Sequence, residues 1–357
     1  MMRVTLRHFA APLCTVAVAA ALLAGGAQAV HAAPLRLGPI RDRILPPGAA
    51  RAAQAGTLVS ITTPSGVTLP VTIDTRLGAA GTVAAQRYAD ILDGLPHGDE
   101  LAELRMTLVP SAEVNARCGG SDSSGILACY SPSASRMILP GDGVDPAGGY
   151  SIEYVLTHEY GHHIAANRSN APMTALDYGP KRWSSYELVC DKVGQGRLFP
   201  GDQGANYLRD PGESWAETYA RLTYPDEPWR FSTLLEPDAG ALVAASLDVS
   251  DPWTGGKTRT FRSTLTRSGA TSRSFAITLR LDGRLAVRLH GPRGAQYDLR
   301  MSSLGVVRTR TRTRGAQDSI VYGNACREAR EERVTLTVLR RSGSRGGAFR
   351  LTVAYAG

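Results

Sequence analysis

His158 and His162 stand four residues apart in the stretch Ser151–Arg168, SIEYVLTHEYGHHIAANR, and Glu159 follows the first of them. The pattern is H-E-x-x-H. On a helix, residues four apart share a face, so the two imidazoles could offer nitrogens to one metal ion while Glu159 handles a proton of a nearby water. Zinc suits such ligands, and an incomplete set of protein ligands leaves a position open for water. A single Zn2+ ion is therefore the expected cofactor.

A third ligand has to come from elsewhere. Metzincins continue the motif with glycine and a third histidine, but Ala165 and Arg168 occupy those places here, so a carboxylate is needed. Asp210-Pro211-Gly212-Glu213 has the N-cap, N1 and N3 residue types that start a helix. On that helix Glu213 and Glu217 share a face: one could bind the metal while the other takes the free N–H of a ligand histidine. Ala216 and Ala220 would let the helix come close to the first. Two competing readings exist: Glu213 could complete a capping box with Asp210, and Asp177, in Leu176-Asp177-Tyr178-Gly179, could be the third ligand. His163 is expected to pack or to face solvent, His97 and His290 have no partner pattern, and Trp183 and Trp215 read as core.

With Glu213-Ser214-Trp215-Ala216-Glu217 in place, the two helices resemble those of the gluzincins, zinc peptidases with a His, His, Glu ligand set. The Glu-x-x-Ala-Glu form and the roughly 50 residues between His162 and Glu213 look most like the catalytic domain of the anthrax lethal factor type. The resemblance implies that His158, His162 and Glu213 hold zinc, that Glu159 is the general base, and that Glu217 holds a ligand histidine. It also implies a tyrosine ahead of the ligand helix that steadies an oxyanion, for which Tyr207 is the candidate. The implied reaction is hydrolysis of a peptide bond in a protein or peptide substrate by a zinc-activated water. In zinc peptidases of this kind an edge strand pairs with an extended substrate. Gly125–Leu139 could supply that edge, or could be a surface hairpin held by Cys118 and Cys129.

The elements needed to position these residues can be read around them. Thr57–Thr62 and Val67–Ile73 alternate as a hairpin, Gly78–Leu95 has helical spacing, and Leu104–Val109 reads as a strand. Gly125–Tyr130 and Arg136–Leu139 suggest a second hairpin. Beyond the motif, Ser169–Arg209 is rich in turn formers around one short helix at Trp183–Val193, and the ligand helix runs Pro211–Leu222. From Pro252 the texture changes to short alternating runs, Phe275–Leu281, Leu285–His290, Tyr297–Met301, Arg333–Leu339 and Phe349–Ala354, separated by turns. Arg308–Arg314 alternates arginine with threonine, which suits an exposed edge strand. The fold expected is an α+β zincin-like catalytic domain, a mixed sheet with an active-site helix and a ligand helix, over residues 56–248. An all-β sandwich follows over 252–357.

Arg3 and Arg7 precede an apolar run at Ala10–Ala24 and an A-x-A site at Ala27–Ala29, so residues 1–29 read as a signal peptide and the protein as secreted. No later stretch is apolar enough for a transmembrane segment. Residues 30–55, rich in Ala, Pro, Gly and Arg, read as a mobile linker or short pro-segment, inhibitory or not. Cys118, Cys129, Cys190 and Cys326 remain after the signal, an even number in an oxidising compartment, so disulfides are the default, with Cys118 and Cys129 closing a short loop and Cys190 and Cys326 left as partners or as free thiols. The net charge of +8 is uneven, because residues 251–357 carry 21 Lys and Arg against 7 Asp and Glu. No nucleic acid is expected as partner. A second reading makes the chain a cell-surface or wall-binding protein with a degenerate zincin domain, whose basic sandwich binds an anionic polymer.

Overall fold

The computed structural model describes residues 41–47, 56–121, 124–146, 149–311, 315–322 and 326–357. The expected signal peptide lies outside the described residues, as does most of the 30–55 segment. All described residues belong to one compact unit, Leu37–Gly357.

The first half is built on a five-stranded mixed sheet. β1 (Gly56–Thr62) and β2 (Thr68–Asp74) form an antiparallel hairpin, and α1 (Gly78–Gly94) carries the chain across to β3 (Arg105–Val109), parallel to β2. A short α2 (Ser111–Arg117) leads to β4 (Cys129–Ser131) and β5 (Arg136–Pro140). β5 returns parallel to β3 and β4 lies antiparallel outside it, giving the order β1-β2-β3-β5-β4 with β4 at an edge.

The two-residue period of the strands sorts their side chains between two faces. Leu69, Val71, Met106, Leu108, Met137 and Leu139 pack with α1 and α3 (Ile152–Ala166) in the main core. Val109 and Ile138 point the other way, against Val114 of α2 and the Cys118–Cys129 disulfide. Helix α3 is buried almost all round, which explains its lack of an amphipathic pattern. Ser151 caps it by accepting from the Tyr154 N–H, and it crosses beneath β4 and β5.

After α3 the chain turns through α4 (Ala175–Tyr178), α5 (Lys181–Tyr186) and α6 (Val189–Gly194). The single helix expected at Trp183–Val193 is broken in two, because Leu188 adopts a left-handed conformation with φ 52°. α7 (Pro211–Thr223) packs along α3, and α8 (Ala239–Ser250), which the sequence reading did not anticipate, closes the core beside α5 and α7. Trp183 and Trp215 are buried and meet edge to face.

The second half consists of β6 (Lys257–Thr266), β7 (Ser272–Leu279), β8 (Leu285–His290), β9 (Tyr297–Ser303), β10 (Val306–Arg310), β11 (Gln317–Tyr322), β12 (Glu332–Arg340) and β13 (Gly346–Tyr355). They form two antiparallel four-stranded sheets, β10-β9-β12-β7 and β11-β8-β13-β6, sharing one apolar core. β10 is an edge strand, as the arginine–threonine alternation suggests, and a register shift between Val307 and Thr309 disrupts its pairing.

The halves are tied together. The Cys190–Cys326 disulfide links α6 to the residues before β12. Next to it, Arg327 donates to the Ser185 carbonyl at 2.8 Å, and the Asp282 N–H donates to Ser185 Oγ at 2.9 Å. Arg330 stacks on the Tyr186 ring and pairs with Asp238 at 2.9 Å.

Candidate metal centre

Helical periodicity places His158 and His162 one above the other on α3, on the face turned to α7. The two helices touch where side chains are smallest. A Cβ on Gly161 would lie 2.8 Å from the Ala216 Cα, and Trp215 donates its indole N–H to the Gly161 carbonyl at 3.0 Å. Asp210 caps α7 by accepting from the Gly212 N–H at 2.9 Å, and Pro211 takes the first helical position. Glu213 is therefore not needed at the helix start, and its carboxylate turns instead towards the histidines.

Four donor atoms converge. Glu213 Oε2 lies 3.5 Å from His158 Nε2 and 3.4 Å from His162 Nε2. The fourth residue is one the sequence reading passed over: Asp42 Oδ2 lies 2.9 Å from His162 Nε2 and 3.7 Å from His158 Nε2. All four side chains are buried, and their donor atoms lie within 4.8 Å of one another.

This arrangement suits a cation. Donors around a tetrahedral ion with bonds of ~2.0–2.1 Å stand about 3.3–3.4 Å apart, close to the spacings found. His158 Nε2 is buried without a hydrogen-bond partner among the described residues. Asp42, Glu159, Glu213 and Glu217 are four buried carboxyl groups, and among the described residues no lysine or arginine pairs with them. Buried charge of one sign requires compensation. A metal ion held by Asp42, His158, His162 and Glu213 would supply it, so the residues fit the ion that the motif implies.

The surrounding groups hold these donors in place. Glu217 Oε2 lies 3.2 Å from His158 Nδ1, fixing that ring from behind. Gln203 donates to Glu213 Oε1 at 2.8 Å, and the Tyr207 hydroxyl donates to Glu213 Oε2 at 3.2 Å and to Asp42. Phe231 stacks on the His158 ring and leans on Tyr207. Gln203 and Phe231, like Asp42, come from irregular segments where no period marks them.

Electrostatics follow from this crowding. Burial works to lower the pKa of His162, but the Glu213 and Asp42 carboxylates outweigh it and raise the pKa to about 10. Burial, reinforced by the Asp42 charge, pushes Glu159 well above the usual carboxylate range, and neither of its oxygens has a hydrogen-bond partner among the described residues. Burial and the neighbouring Glu213 charge raise Asp210 to about 8.

The structure thus brings together every residue expected to act: His158, Glu159, His162, Glu213, Glu217 and Tyr207. Asp177 is elsewhere, accepting from the Thr174 hydroxyl at 2.6 Å. His163 packs inside: its Nδ1 lies 3.0 Å from the Tyr130 hydroxyl and its Nε2 2.7 Å from the Glu100 carbonyl. His97 contacts the neighbouring Gly98 carbonyl, and His290 ends β8. Both disulfides, Cys118–Cys129 and Cys190–Cys326, are formed. Among the described residues no helix is long and apolar enough to cross a membrane.

No family model matches the chain, and no curated protein does. Among solved structures, it is similar to a pre-peptidase C-terminal domain of a Bacillus anthracis collagenase, at 9% identity and TM-score 0.21 over 27% of this chain and 88% of that one. It is also similar to a Yersinia pseudotuberculosis-derived mitogen, at 14% identity and TM-score 0.22 over 28% of this chain and 85% of that one. A third is the periplasmic g-type lysozyme inhibitor of Aeromonas hydrophila, at 9% identity and TM-score 0.20 over 28% and 87% of the two chains. Scores this low carry no argument about what this chain does.

Proposed function

We propose that the chain is a secreted zinc-dependent peptidase of gluzincin type, with a zincin-like domain joined to a β-sandwich. The observation that carries the reading is the convergence of the buried His158, His162 and Glu213 donors, beside a Glu159 carboxyl that has no hydrogen-bond partner among the described residues. A structural ion would need no free carboxyl next to it.

Zinc bound there would lower the pKa of a coordinated water and polarise a substrate carbonyl. Glu159, follower of His158 on the same helix, is the group placed to accept the proton of the attacking water and to return it to the leaving amine. Its raised pKa belongs to the site without a cation; positive charge beside it favours the ionised, basic form. Tyr207 has its hydroxyl at Glu213 and could donate to the developing oxyanion. Glu217 holds His158 in one orientation.

Glu159→Gln is the direct test. The variant is expected to keep its metal, measured by elemental analysis of the purified protein, and to lose at least about 100-fold in peptide hydrolysis. Measurable wild-type hydrolysis that the substitution leaves unchanged, or wild-type protein that takes up no zinc, would defeat the reading.

A further inference from the structure

Asp42 belongs to a strip, residues 41–46, that follows the edge of the five-stranded sheet. The Leu127 N–H donates to the Arg41 carbonyl at 2.7 Å, the Tyr130 N–H to the Arg43 carbonyl at 3.1 Å, and the Leu45 N–H to the Tyr130 carbonyl at 2.8 Å. Ile44 and Tyr130 form a parallel bridge. These are the bonds of an added strand, laid on the edge next to α3.

Side chains fix the strip on both faces. Leu45 is buried among Val109, Val114, Ile126 and Ile138. Arg43 reaches the Gly119 carbonyl at 2.6 Å and Arg41 the Ser124 carbonyl at 3.2 Å, both on the loop closed by Cys118–Cys129. On the opposite side Asp42 enters the metal centre, where Tyr207 donates to one carboxylate oxygen and the other contacts His162. The Ile44 N–H donates to Gln203 Oε1 at 3.2 Å, and Gln203 in turn holds Glu213.

We propose that residues 41–46 are a built-in occupant of the substrate edge, with Asp42 as fourth donor to the metal, so that the full chain is a latent form of the peptidase. The inference rests on the peptidase reading and gives that site its regulation. An extended peptide adding to β4 would need the same Leu127 and Tyr130 groups, and water or a substrate carbonyl would need the position that Asp42 takes. What the strip presents to the centre is a side-chain carboxylate rather than a backbone carbonyl, so it blocks the site without offering a bond to cut. Activation then requires the strip to be cut away or displaced.

The test compares zinc-loaded full-chain protein with Asp42→Ala, Asp42→Asn and Leu45→Asp. Asparagine preserves the shape and an acceptor for Tyr207 but is a weaker metal donor; the aspartate at 45 undocks the strip from a distance without touching the centre. Three quantities are read: casein cleavage, binding of acetohydroxamate as a small metal-directed probe, and hydrogen exchange at the Leu127 and Tyr130 amides. In the Ala and Asp variants at least tenfold faster cleavage, at least tenfold tighter hydroxamate binding and faster exchange at both amides are expected. In the Asn variant gains in cleavage and hydroxamate binding are expected. Folded, zinc-bound variants that bind hydroxamate and cleave casein no better than a wild type that itself cleaves casein would overturn the latent form and leave the peptidase reading standing. Variants that open to hydroxamate and exchange but cleave nothing would uphold the block and overturn the peptidase.

Discussion

At the scale of single residues, the centre separates groups that would hold a metal from groups that would use it. Glu217 touches His158 Nδ1 and none of the other three donors, so Glu217→Ala should weaken zinc binding by about 10–100-fold in a chelator competition. Glu159→Gln should leave that affinity near wild type. If both variants bind alike, the division of roles is wrong. The sequence carries His158, Glu159, His162, Glu213 and Glu217 openly, because each sits at helical spacing from a partner with which it must act. Asp42 is hidden for the opposite reason. Arg41-Asp42-Arg43 has no period and no neighbour in sequence that shares its task, and only the course of the chain over the sheet edge brings the carboxylate to the histidines. Gln203 and Phe231 escape notice in the same way.

At the scale of elements, the site depends on how closely α3 and α7 can lie. Gly161 directly precedes His162 in the motif, and a methyl group there would press on the Ala216 backbone at 2.8 Å. Gly161→Ala should therefore destabilise the fold by about 1–3 kcal/mol, despite alanine's better helix propensity, and should weaken metal binding by moving Glu213 away from the histidines. Urea denaturation together with zinc titration checks both; a variant as stable as wild type would show that the helices can adjust. The hairpins, α1 and α7 were legible because period, caps and turns agreed. α8 was missed because its run, AGALVAASLDVS, is apolar on most sides and shows little contrast. β6 was missed because it is largely exposed, with threonine and arginine where a buried face would show apolar residues.

At the scale of the molecule, the β-rich half is tied to the half that carries the candidate metal centre. The Cys190–Cys326 disulfide spans a sequence separation of 136 residues, and it anchors the segment between the two helices that carry the candidate metal donors. Replacing both cysteines by serine should cost about 2–4 kcal/mol in guanidinium unfolding, with the chain-entropy argument favouring the upper end for so long a loop. No loss of stability would mean that Arg327, Arg330 and Asp282 hold the halves together unaided.

Asp42 lies far ahead of His158 and Glu213 in the chain, which also sets the order of assembly. During synthesis residue 42 emerges before any strand of the sheet, and it can find its place only after β4, α3 and α7 exist. Contacts of such high sequence separation form late, since the closure entropy of the intervening chain must be overcome first. The four-donor centre is thus a signature of completed folding: a chain arrested partway lacks either the second helix or the edge on which the strip docks, and with it Glu213 or Asp42.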